Sequence, residues 1–491
     1  MRKLPVEETL APLRAALRDG SRAVLVAPPG AGKTTRVPLA LLDEPWLGSG
    51  RIVLLEPRRL AARAAANRMS ETLGQRLGET VGLRARMMTA VSPKTRVEVV
   101  TEGVFTRMIL DDPELAGVGA VIFDEFHERS LDADFGLALS HDAQDGLRPD
   151  LRLLVMSATL DGARVADLLS ASGAPCPVIS SDGRAHPVET RYVPRRPDAT
   201  LEQAVASAVV RALAETGGDI LVFLPGQREI RRVGDALGER LAGEPVDIRP
   251  LHGTLDRADQ DAALSPAPAG RRKVVLSSAI AETSLTIEGV TAVVDAGLAR
   301  VPRFDVGARL TRLETVRVSR AAADQRRGRA GRLGPGTCYR LWAEPETQSL
   351  PAYARPEILS TDLSRLVLDC AAWGVTEPDR LAWLDPPPSA AVRAAREDLL
   401  DLGALDAAGH LTELGRRLRA LPLAPHLAAM IIRAAALGAA GTASRLAALI
   451  TEPGLGGRSS DIEVRLARFA AERSARADGM RRLAARWAEH A

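Results

Sequence analysis

Cysteine is scarce in this chain, which excludes a disulfide framework as the source of its stability. The 491 residues include three cysteines, Cys176, Cys338 and Cys370, which are widely separated and odd in number. Free thiols in this number are typical of a reducing compartment, so we expect a cytoplasmic protein. Aromatic residues make up only 3% of the chain, which disfavours a site that depends mainly on stacking against aromatic rings.

Long apolar segments and lysine are also in short supply. No uninterrupted apolar run reaches the roughly 18 residues that a membrane-spanning helix needs, so we expect no membrane span. The histidines include no HExxH spacing, which excludes that class of zinc hydrolase. The net charge is only +3, so any basic binding surface must be local. Among 65 basic residues only four are lysines, which makes each conspicuous: Lys3, Lys33, Lys94 and Lys273.

Two sets of short apolar runs alternate with helix-like segments. This alternation is typical of buried parallel strands joined by helices, as in doubly wound α/β sheets. The predicted strands are residues 23–28, 51–57, 96–101, 119–124 and 151–159 in the first set and 219–226, 246–253, 272–279 and 291–297 in the second. A Pro/Arg-rich stretch at 191–200 indicates a linker between two α/β domains, and amphipathic helices follow from about residue 345.

The first predicted strand leads into a glycine-rich segment, APPGAGKTT (27–35), that precedes a helix-like stretch. Strand, turn, Gly-Lys-Thr and helix follow in the order of a phosphate-binding P-loop, although Ala27 replaces the usual first glycine. Backbone N–H groups of such a loop bind phosphate oxygens, while Lys33 would contact the β- and γ-phosphates and Thr34 would bind Mg²⁺. The alternative is a Gly/Pro turn with an exposed lysine. The predicted nucleotide-binding residues here are Pro29, Gly30, Ala31, Gly32, Lys33, Thr34 and Thr35.

Two acids end the fourth predicted strand in the segment AVIFDE (120–125). Ligands of open α/β sheets bind at the carboxyl ends of strands, and a P-loop needs an acidic metal site on a neighbouring strand. Asp124 is therefore predicted to hold Mg²⁺, and Glu125, at the same metal site, to orient and deprotonate an attacking water. The alternative is a solvated strand end. Phe126 is predicted to pack inward, and His127 taken alone indicates a surface or capping histidine.

Three arginines recur at every third position in the segment QRRGRAGR (325–332): Arg326, Arg329 and Arg332. On a helix this spacing brings them roughly onto one face. In the second α/β domain of a P-loop protein, such a set favours arginine fingers that contact a γ-phosphate. The alternative is a solvated or RNA-binding basic face. With fingers, ATP would lie between the two domains and its hydrolysis would move them.

The order of these segments resembles that of the DEAH/RHA group of superfamily 2 helicases, and of its bacterial HrpB branch in particular. A β-hairpin of that group resembles residues 299–320, and its winged helix resembles residues 356–418. Phe126 stands where the group usually has alanine, a change expected in the HrpB branch. The segments that resemble motifs I, Ia, Ib, II, III, IV, V and VI are residues 27–35, 56–69, 101–109, 124–129, 157–159, 221–230, 277–290 and 325–332.

The resemblance implies an α/β protein with two tandem RecA-like P-loop domains, followed by a winged helix and a helical, ratchet-like C-terminal segment. Relatives continue through a helical ratchet domain and further C-terminal regions, and this chain ends within or just after the expected ratchet helices, so the resemblance leaves open whether the helical segment is truncated. The expected bounds are residues 1–190 and 191–350 for the RecA-like domains, 351–424 for the winged helix and 425–491 for the helical segment.

The resemblance also implies roles for single residues. Gln325 would position the hydrolytic water, Arg329 and Arg332 would be the fingers, and Arg326 would support the site. His127 becomes a catalytic-site residue that faces the second domain, and Ser157 and Thr159 would couple the nucleotide to the interface between the domains. The residues expected to contact the nucleic-acid backbone are Arg58, Arg59, Thr101 and Thr283.

Adenine is expected to lie between Arg68 and Leu298, a position where the group usually has an aromatic side chain, so strict selectivity for ATP is in doubt. The expected function is an ATP-dependent helicase or translocase that uses ATP and Mg²⁺ and moves 3′ to 5′ as a monomer on single-stranded RNA, with DNA less favoured. The alternative is an ATP-gated RNA-binding clamp whose ATPase responds to RNA without processive unwinding. The β-hairpin and winged-helix segments favour the helicase.

Overall fold

The chain folds into two compact units. The computed structural model describes residues 4–86, 88–158, 162–170, 175–181, 186–282, 287–305, 310–452, 454–457 and 459–491. The first unit comprises Met1–Arg303, Thr311–Ser360 and Ala382–Leu384, and the second comprises Phe304–Leu310, Thr361–Leu381 and Asp385–Ala491. The first unit carries the two sheets that the strand pattern predicts.

The first sheet domain consists of eight strands and the helices that connect them. The strands are β1 (Arg22–Val26), β2 (Arg51–Glu56), β3 (Val81–Ala85), β4 (Met88–Ala90), β5 (Val97–Thr101), β6 (Val118–Phe123), β7 (Arg152–Ser157) and β8 (Val178–Ser180). Their spatial order is β4-β3-β5-β2-β6-β7-β1-β8; β3 and β4 pair antiparallel, and the other described pairs run parallel. The helices are α1 (Leu10–Asp19), α2 (Lys33–Ala40), α3 (Arg59–Thr72), α4 (Glu102–Asp111), α5 (Leu131–Gly146) and α6 (Gly162–Leu169).

The second sheet domain has six parallel strands and a separate two-stranded hairpin. The strands are β9 (Val188–Tyr192), β10 (Asp219–Phe223), β11 (Val246–Leu251), β12 (Arg272–Ser277), β13 (Val290–Asp295), β14 (Leu298–Asp305), β15 (Leu310–Arg317) and β16 (Gly336–Arg340). The sheet order is β11-β12-β10-β13-β16-β9, and β14 pairs with β15 as the predicted hairpin. The helices are α7 (Leu201–Glu215), α8 (Gln227–Arg240), α9 (Arg257–Leu264), α10 (Arg320–Gly328) and α11 (Glu346–Ser349).

Helices make up most of the second unit. A short bridge between Leu405 and Leu411 joins two of them, which gives the helix–ribbon–helix pattern expected of a winged helix. The helices are α12 (Ser364–Ala372), α13 (Ser389–Asp401), α14 (Glu413–Ala420), α15 (Pro425–Ala435), α16 (Ala440–Thr451), α17 (Ile462–Ala471) and α18 (Ala475–His490). Short 3-10 helices across the chain are Pro5–Thr9, Phe126–Glu128, Ala279–Ala281, Arg329–Gly331, Glu357–Leu359 and Pro378–Arg380.

The nine predicted strands are all present, and most are apolar runs buried between layers of helices. The edge strand β11 is the exception, since most of its residues are half-buried or exposed. The predicted linker is wrong at its start, since Arg191 and Tyr192 belong to β9 and pair in register with β16. β9 is an edge strand with half-exposed residues, so it lacks the continuous apolar run that marks the central strands. The short edge strands β4 and β8 escaped prediction for the same reason.

Candidate active site

The loop between β1 and α2 has the backbone of a phosphate-binding turn. Gly30 and Gly32 have φ angles of 81° and 94°, a region that residues with a Cβ rarely adopt. Gly32 is also required by packing, because a Cβ there would lie 2.6 Å from Leu4 Cδ1. The backbone N–H of Val6 donates to the Ala31 carbonyl at 3.1 Å. The N-terminal residues Leu4 and Val6 therefore pack against the loop, a contact that no sequence pattern indicated.

Lys33 is buried at the N-terminus of α2, with only 4% of its surface exposed. Its ammonium donates to the carbonyl oxygens of Ala27 at 2.6 Å and Pro28 at 3.3 Å. A buried charge needs such partners, and a phosphate oxygen would satisfy it better than neutral carbonyls. The predicted lysine therefore lies inside the loop, not in solvent as the alternative of an exposed turn requires.

Asp124 follows β6 and receives a hydrogen bond from the Thr34 hydroxyl, which joins the two predicted magnesium ligands. The backbone N–H of Glu125 donates to the other Asp124 oxygen at 2.8 Å. The pKa of Asp124 is raised to about 6, because burial and then the charge of Glu125 disfavour the ionised form. A nearby cation would reverse this penalty.

The donors at this point fit magnesium. Within the described ranges, no group of three or more His, Cys, Asp or Glu side chains forms a metal cage. Magnesium does not need one, since it is held by one or two protein oxygens together with phosphate and water. The Thr34 hydroxyl and the Asp124 carboxylate are such hard oxygen donors, and they lie in contact beside the phosphate loop.

Glu125 is presented by an unusual backbone. Its φ and ψ are 49° and 33°, a left-handed conformation that is rare for a non-glycine residue, and the residue is 4% exposed. Its carboxylate oxygen Oε2 lies 3.5 Å from Nδ1 of His127. Strained residues of this kind occur at functional sites, where surrounding contacts fix them.

His127 is buried against the end of β7. Its Nδ1 lies 3.4 Å from Ser157 Oγ and accepts a hydrogen bond from the backbone N–H of Ala158 at the same distance. Burial lowers the pKa of His127, which favours the neutral ring. These partners belong to the first sheet domain, so they tie motif II to motif III. The other motif III residue with a predicted role, Thr159, lies outside the described residues.

The arginines of the second sheet domain divide into two groups. Arg326 is fully buried, and its guanidinium donates to Glu282 at 2.6 Å and to Asp295 at 2.8 Å. Arg329 and Arg332 follow in and after the 3-10 turn, where Arg329 Nε donates to the Glu282 carbonyl at 2.9 Å. The single helical face expected for all three is therefore interrupted, because α10 ends at Gly328. Arg326 is thus held by two carboxylates inside the second sheet domain, whereas Arg329 and Arg332 lie beyond the end of the helix.

Arg332 lies against the phosphate loop of the other sheet domain. A Cβ placed on Gly30 would stand 3.4 Å from Arg332 Nε. Burial lowers the pKa of Arg332 to about 10, and the charge of Glu125 opposes this shift. Burial and then Arg332 lower the pKa of Arg329, again opposed by Glu125. The buried Arg329 and the half-buried Arg332 both interact with the charge of Glu125, a setting that favours an anionic ligand. Gln325, only 5% exposed, lies on the preceding helix α10.

Comparison with known proteins agrees with this arrangement. Three family models match in order: the DEAD/DEAH box helicase model at residues 10–168, the helicase conserved C-terminal domain at 202–334, and the winged-helix helicase associated domain (HA2) at 395–423. The ATP-dependent RNA helicase HrpB of Escherichia coli K12 is 49% identical over 468 residues, which cover 95% of this chain and 57% of that protein.

The crystal structure of the Escherichia coli DEAH/RHA helicase HrpB matches with a TM-score of 0.90 and 46% identity, over 99% of this chain and 60% of that one. This chain belongs to the DEAH/RHA helicase family, in its HrpB branch. The splicing factor and ATP-dependent RNA helicase prp22 of Schizosaccharomyces pombe is 36% identical over 446 residues, 89% of this chain and 37% of that protein. The DEAH/RHA chain thus spans less than two thirds of these relatives. Its predicted fold, two RecA-like domains, a winged helix and a helical segment, is confirmed.

The two residues predicted to hold adenine in this DEAH/RHA protein differ in their exposure to solvent. Arg68 lies on α3, where its side chain is 71% exposed and within 3.4 Å of Glu71. Leu298 begins β14 half-buried, and its carbonyl accepts from Arg326 at 3.2 Å. Leu298 is therefore linked to the arginine segment through its backbone, whereas Arg68 remains open to solvent. The remaining predicted loop residue, Thr35, lies half-buried in α2, and Pro29 is half-buried in the loop.

The residues predicted to contact nucleic acid have different surroundings. Arg59 is exposed at the start of α3, and Thr101 is half-buried at the start of α4. Arg58 instead bridges the two sheet domains, since it donates to Glu128 at 2.8 Å and to the Ala279 carbonyl. Thr283 lies outside the described residues.

Sequence reasoning in this DEAH/RHA chain missed two sets of contacts, one within the second sheet domain and one between the two sheet domains. Glu282, within motif V, accepts from Arg326 through its side chain and from Arg329 through its carbonyl. Arg63 of α3 pairs with Asp261 of α9 at 2.6 Å. The acidic residue within motif V was the available signal for Glu282. Arg63 is one of many arginines, so the sequence gave no signal for its role. No helix in the described part of the chain has the length and apolar character needed to cross a membrane.

Proposed function

We propose that this chain hydrolyses ATP between its two sheet domains and uses the cycle to move along single-stranded nucleic acid, with RNA favoured over DNA. The observation that carries the proposal is the approach of Arg332 to Gly30, with Glu125 buried nearby. A phosphate loop, a carboxylate base and an arginine from another domain are the parts that phosphoryl transfer to water requires. The RNA helicases HrpB and prp22 named above support this choice of reaction.

The first sheet domain would bind the nucleotide. Lys33 would leave the carbonyls of Ala27 and Pro28 for the β- and γ-phosphates, exchanging neutral acceptors for charged ones. Thr34 and Asp124 would hold Mg²⁺, which would offset negative charge on the phosphates. The N–H groups at the start of α2 add a favourable dipole at the same place.

The carboxylate of Glu125 would accept a proton from the attacking water, and Gln325 of the second domain would orient that water. Glu125 is suited to this role because it is nearly buried and held in one backbone conformation. His127 would link Glu125 to motif III, because its ring lies beside the Glu125 carboxylate and contacts Ser157 and Ala158. In this proposal it positions the base and does not itself touch substrate.

Arg329 and Arg332 would stabilise negative charge that develops on the transferred phosphoryl group, since Arg329 is a buried cation and Arg332 a half-buried one near the site. Their place on the second sheet domain makes ATP a link between the two domains. Binding would close the cleft, and hydrolysis with release would reopen it, advancing the strand by about one nucleotide per cycle, 3′ to 5′. Domain bounds at residues 1–190, 191–350, 351–424 and 425–491 belong to this proposal.

Residues that are at least partly exposed near the ends of β-strands would contact the phosphates of the nucleic acid, without reading its sequence. Arg59 and Thr101 are the candidates that the structure leaves accessible at least in part. Arg58 would join them when its bonds to Glu128 and Ala279 exchange for phosphate oxygens. A DNA strand would present the same phosphates, so the preference for RNA must be measured.

The test is the rate of ATP hydrolysis by the purified chain alone, with single-stranded RNA and with single-stranded DNA. We expect stimulation by RNA above that by DNA, followed by unwinding of a 3′-tailed duplex but not of a 5′-tailed one. Absence of hydrolysis, or of stimulation by either polymer, would contradict the proposal. Stimulated hydrolysis without unwinding of either duplex would replace the translocase with the RNA-gated clamp.

A further inference from the structure

The backbone that joins β6 to α5 carries motif II and is strained at both ends. Glu125 has a φ of 49° and Arg129 a φ of 51°, although neither is a glycine. Side chains with a Cβ disfavour this region, so contacts from outside the loop must hold it. The structure shows where these contacts come from.

One set of contacts lies within the loop and the helix that follows. The guanidinium of Arg129 forms a two-pronged ion pair with Asp134 of α5, at 2.9 Å and 3.0 Å. Both side chains are nearly buried. The Ser130 hydroxyl caps the same helix by accepting from the N–H of Ala133 at 3.0 Å. The C-terminal end of motif II is thereby fastened to the first turn of α5.

A second set of contacts comes from Glu357, far away in sequence. The N–H of Glu357 donates to the carbonyl of Arg129 at 3.0 Å. Its carboxylate Oε2 accepts from the N–H of Leu131, the first residue of α5, at 3.0 Å. Glu357 thus binds the backbone on both sides of Ser130. A carboxylate at this position also satisfies a helix N–H that has no partner within the helix and complements the helix dipole.

The segment that follows α12 also contacts α5. The Trp383 ring stacks on Phe135 of α5, with ring centres 5.9 Å apart and planes inclined by 17°. Next to it, the carbonyl of Leu384 accepts from Arg164 at 2.9 Å. Residues on either side of α12 therefore dock on the helix that follows motif II. The contact of Glu357 with α5 is therefore one of several between α5 and the residues that flank α12.

We infer that Glu357 is a positioning residue for hydrolysis, which holds the motif II backbone so that Glu125 faces the phosphate site. This inference rests on the proposed ATPase function. Glu357 touches no substrate; it acts through the Arg129 carbonyl and the Leu131 N–H. Loss of its side chain leaves the Leu131 N–H without this acceptor, whereas the backbone bond to the Arg129 carbonyl persists, so Glu357 then holds the strained turn on one side of Ser130 only. The water-activating carboxylate then loses alignment, while Lys33 and the phosphate loop are unaffected.

The test compares Glu357→Ala, Glu357→Gln and Glu357→Asp with a control, Glu344→Ala. Glu344 is an exposed glutamate that, like Glu357, lies between β16 and α12. ATP hydrolysis and thermal unfolding are measured for each. We expect Glu357→Ala to lower kcat about tenfold, since small displacements of a reacting group are costly, with KM for ATP within about twofold of wild type. Glu357→Gln keeps an acceptor oxygen and should retain most of kcat, and Glu344→Ala should match wild type.

Unchanged kcat in folded Glu357→Ala would overturn the inference, as would equal losses in the Ala and Gln variants, because a retained acceptor must rescue. If Glu357→Ala does not fold, Glu357→Asp carries the test: its shorter side chain cannot reach Leu131 as Glu357 does, so kcat must fall while KM stays. Failure of the ATPase proposal is distinguishable, because the wild-type chain would then show no hydrolysis in the same assay.

Discussion

Arg332 lies so close to Gly30 that a Cβ on the glycine would stand 3.4 Å from the arginine Nε. The two residues belong to different sheet domains, and they bring the phosphate loop and an arginine finger candidate into one cleft. Glycine is favoured at this point by the positive φ of 81°, and a Cβ there would be in van der Waals contact with the guanidinium.

Gly30→Ala should lower both stability and turnover. The strained backbone costs about 1 kcal/mol. The new methyl group would contact Arg332 and occupy space between the loop and the guanidinium, where a γ-phosphate would have to lie, so kcat for ATP should fall about tenfold or more. Gly48→Ala is a matched control, because Gly48 also has a positive φ, 49°, but nothing lies within 4 Å of the position of its Cβ. It should lose stability alone. Equal loss of kcat in both variants would show that the contact with Arg332 is irrelevant.

Arg332→Ala should abolish most of the hydrolysis while leaving the fold intact. An arginine that stabilises the transferred phosphoryl group contributes about 10³–10⁵ in rate. Nucleotide binding should weaken much less, because Lys33 and the loop backbone remain. Arg320→Ala, at an exposed position at the start of α10, is the control and should retain wild-type kcat. Near-normal kcat in Arg332→Ala, measured under saturating ATP, would remove the residue from the site.

The ion pair between Arg63 and Asp261 should favour the closed arrangement of the two sheet domains. Leu60, one turn earlier on α3, packs with Phe223 and Leu251 of the second domain, so the pair lies at a real interface. Asp261 is half-exposed, so the pair is worth up to about 1 kcal/mol. Alanine at either residue should lower RNA-stimulated kcat by about two- to fivefold.

A double-mutant cycle separates this pair from general effects of the two substitutions. The double variant should be no worse than either single one, since the first substitution already breaks the contact. The exposed pair Arg107 and Asp111 within α4 provides the control cycle and should leave kcat unchanged. Additive losses for Arg63 and Asp261 would mean that the pair does not act as a unit.

Glu102 should make stability depend on pH. Burial raises the pKa of its carboxyl from 4.5 to about 8, so the folded protein keeps a proton that the unfolded chain releases above pH 4.5. The wild-type free energy of unfolding therefore falls as pH rises through this window and levels off above about 8. Glu102→Gln has no such titration. Its stability relative to wild type should rise from pH 5 to pH 8, by roughly one kcal/mol per unit.

The measurement is the unfolding midpoint across that pH range. Glu114→Gln replaces an exposed glutamate and should follow the wild-type curve at every pH. If the unfolding midpoint of Glu102→Gln changed with pH in parallel with that of wild type, the pH dependence would not come from Glu102.

Much of the phosphate site could be predicted from sequence because its parts are local. The loop residues Gly30 to Thr34 are contiguous, and Asp124 and Glu125 follow directly from a buried strand. Each part is set by a short range of residues, and the parallel sheet brings the carboxyl ends of β1 and β6 to the same edge. The contact of Thr34 with Asp124 is the result.

Contacts between distant segments could not be predicted in this way. Nothing in the spacing of Arg326, Arg329 and Arg332 shows that the helix ends at Gly328 and turns Arg326 inward. The bonds of Glu357 to Arg129 and Leu131 join segments that share no pattern. The half-exposed edge strand β9 likewise has a sequence that resembles a linker, since pairing with β16 and not burial defines it.

Glu125→Gln tests the central claim most directly. Glutamine keeps the size and the hydrogen-bonding oxygen of Glu125 but cannot take a proton from water. Binding of a fluorescent ATP analogue and single-turnover hydrolysis are measured on the same preparation, with wild type beside it. We expect wild-type affinity within a few-fold and hydrolysis slowed by about 10²–10⁴. Hydrolysis at the wild-type rate would show that Glu125 is not the base and would contradict the assignment of the site.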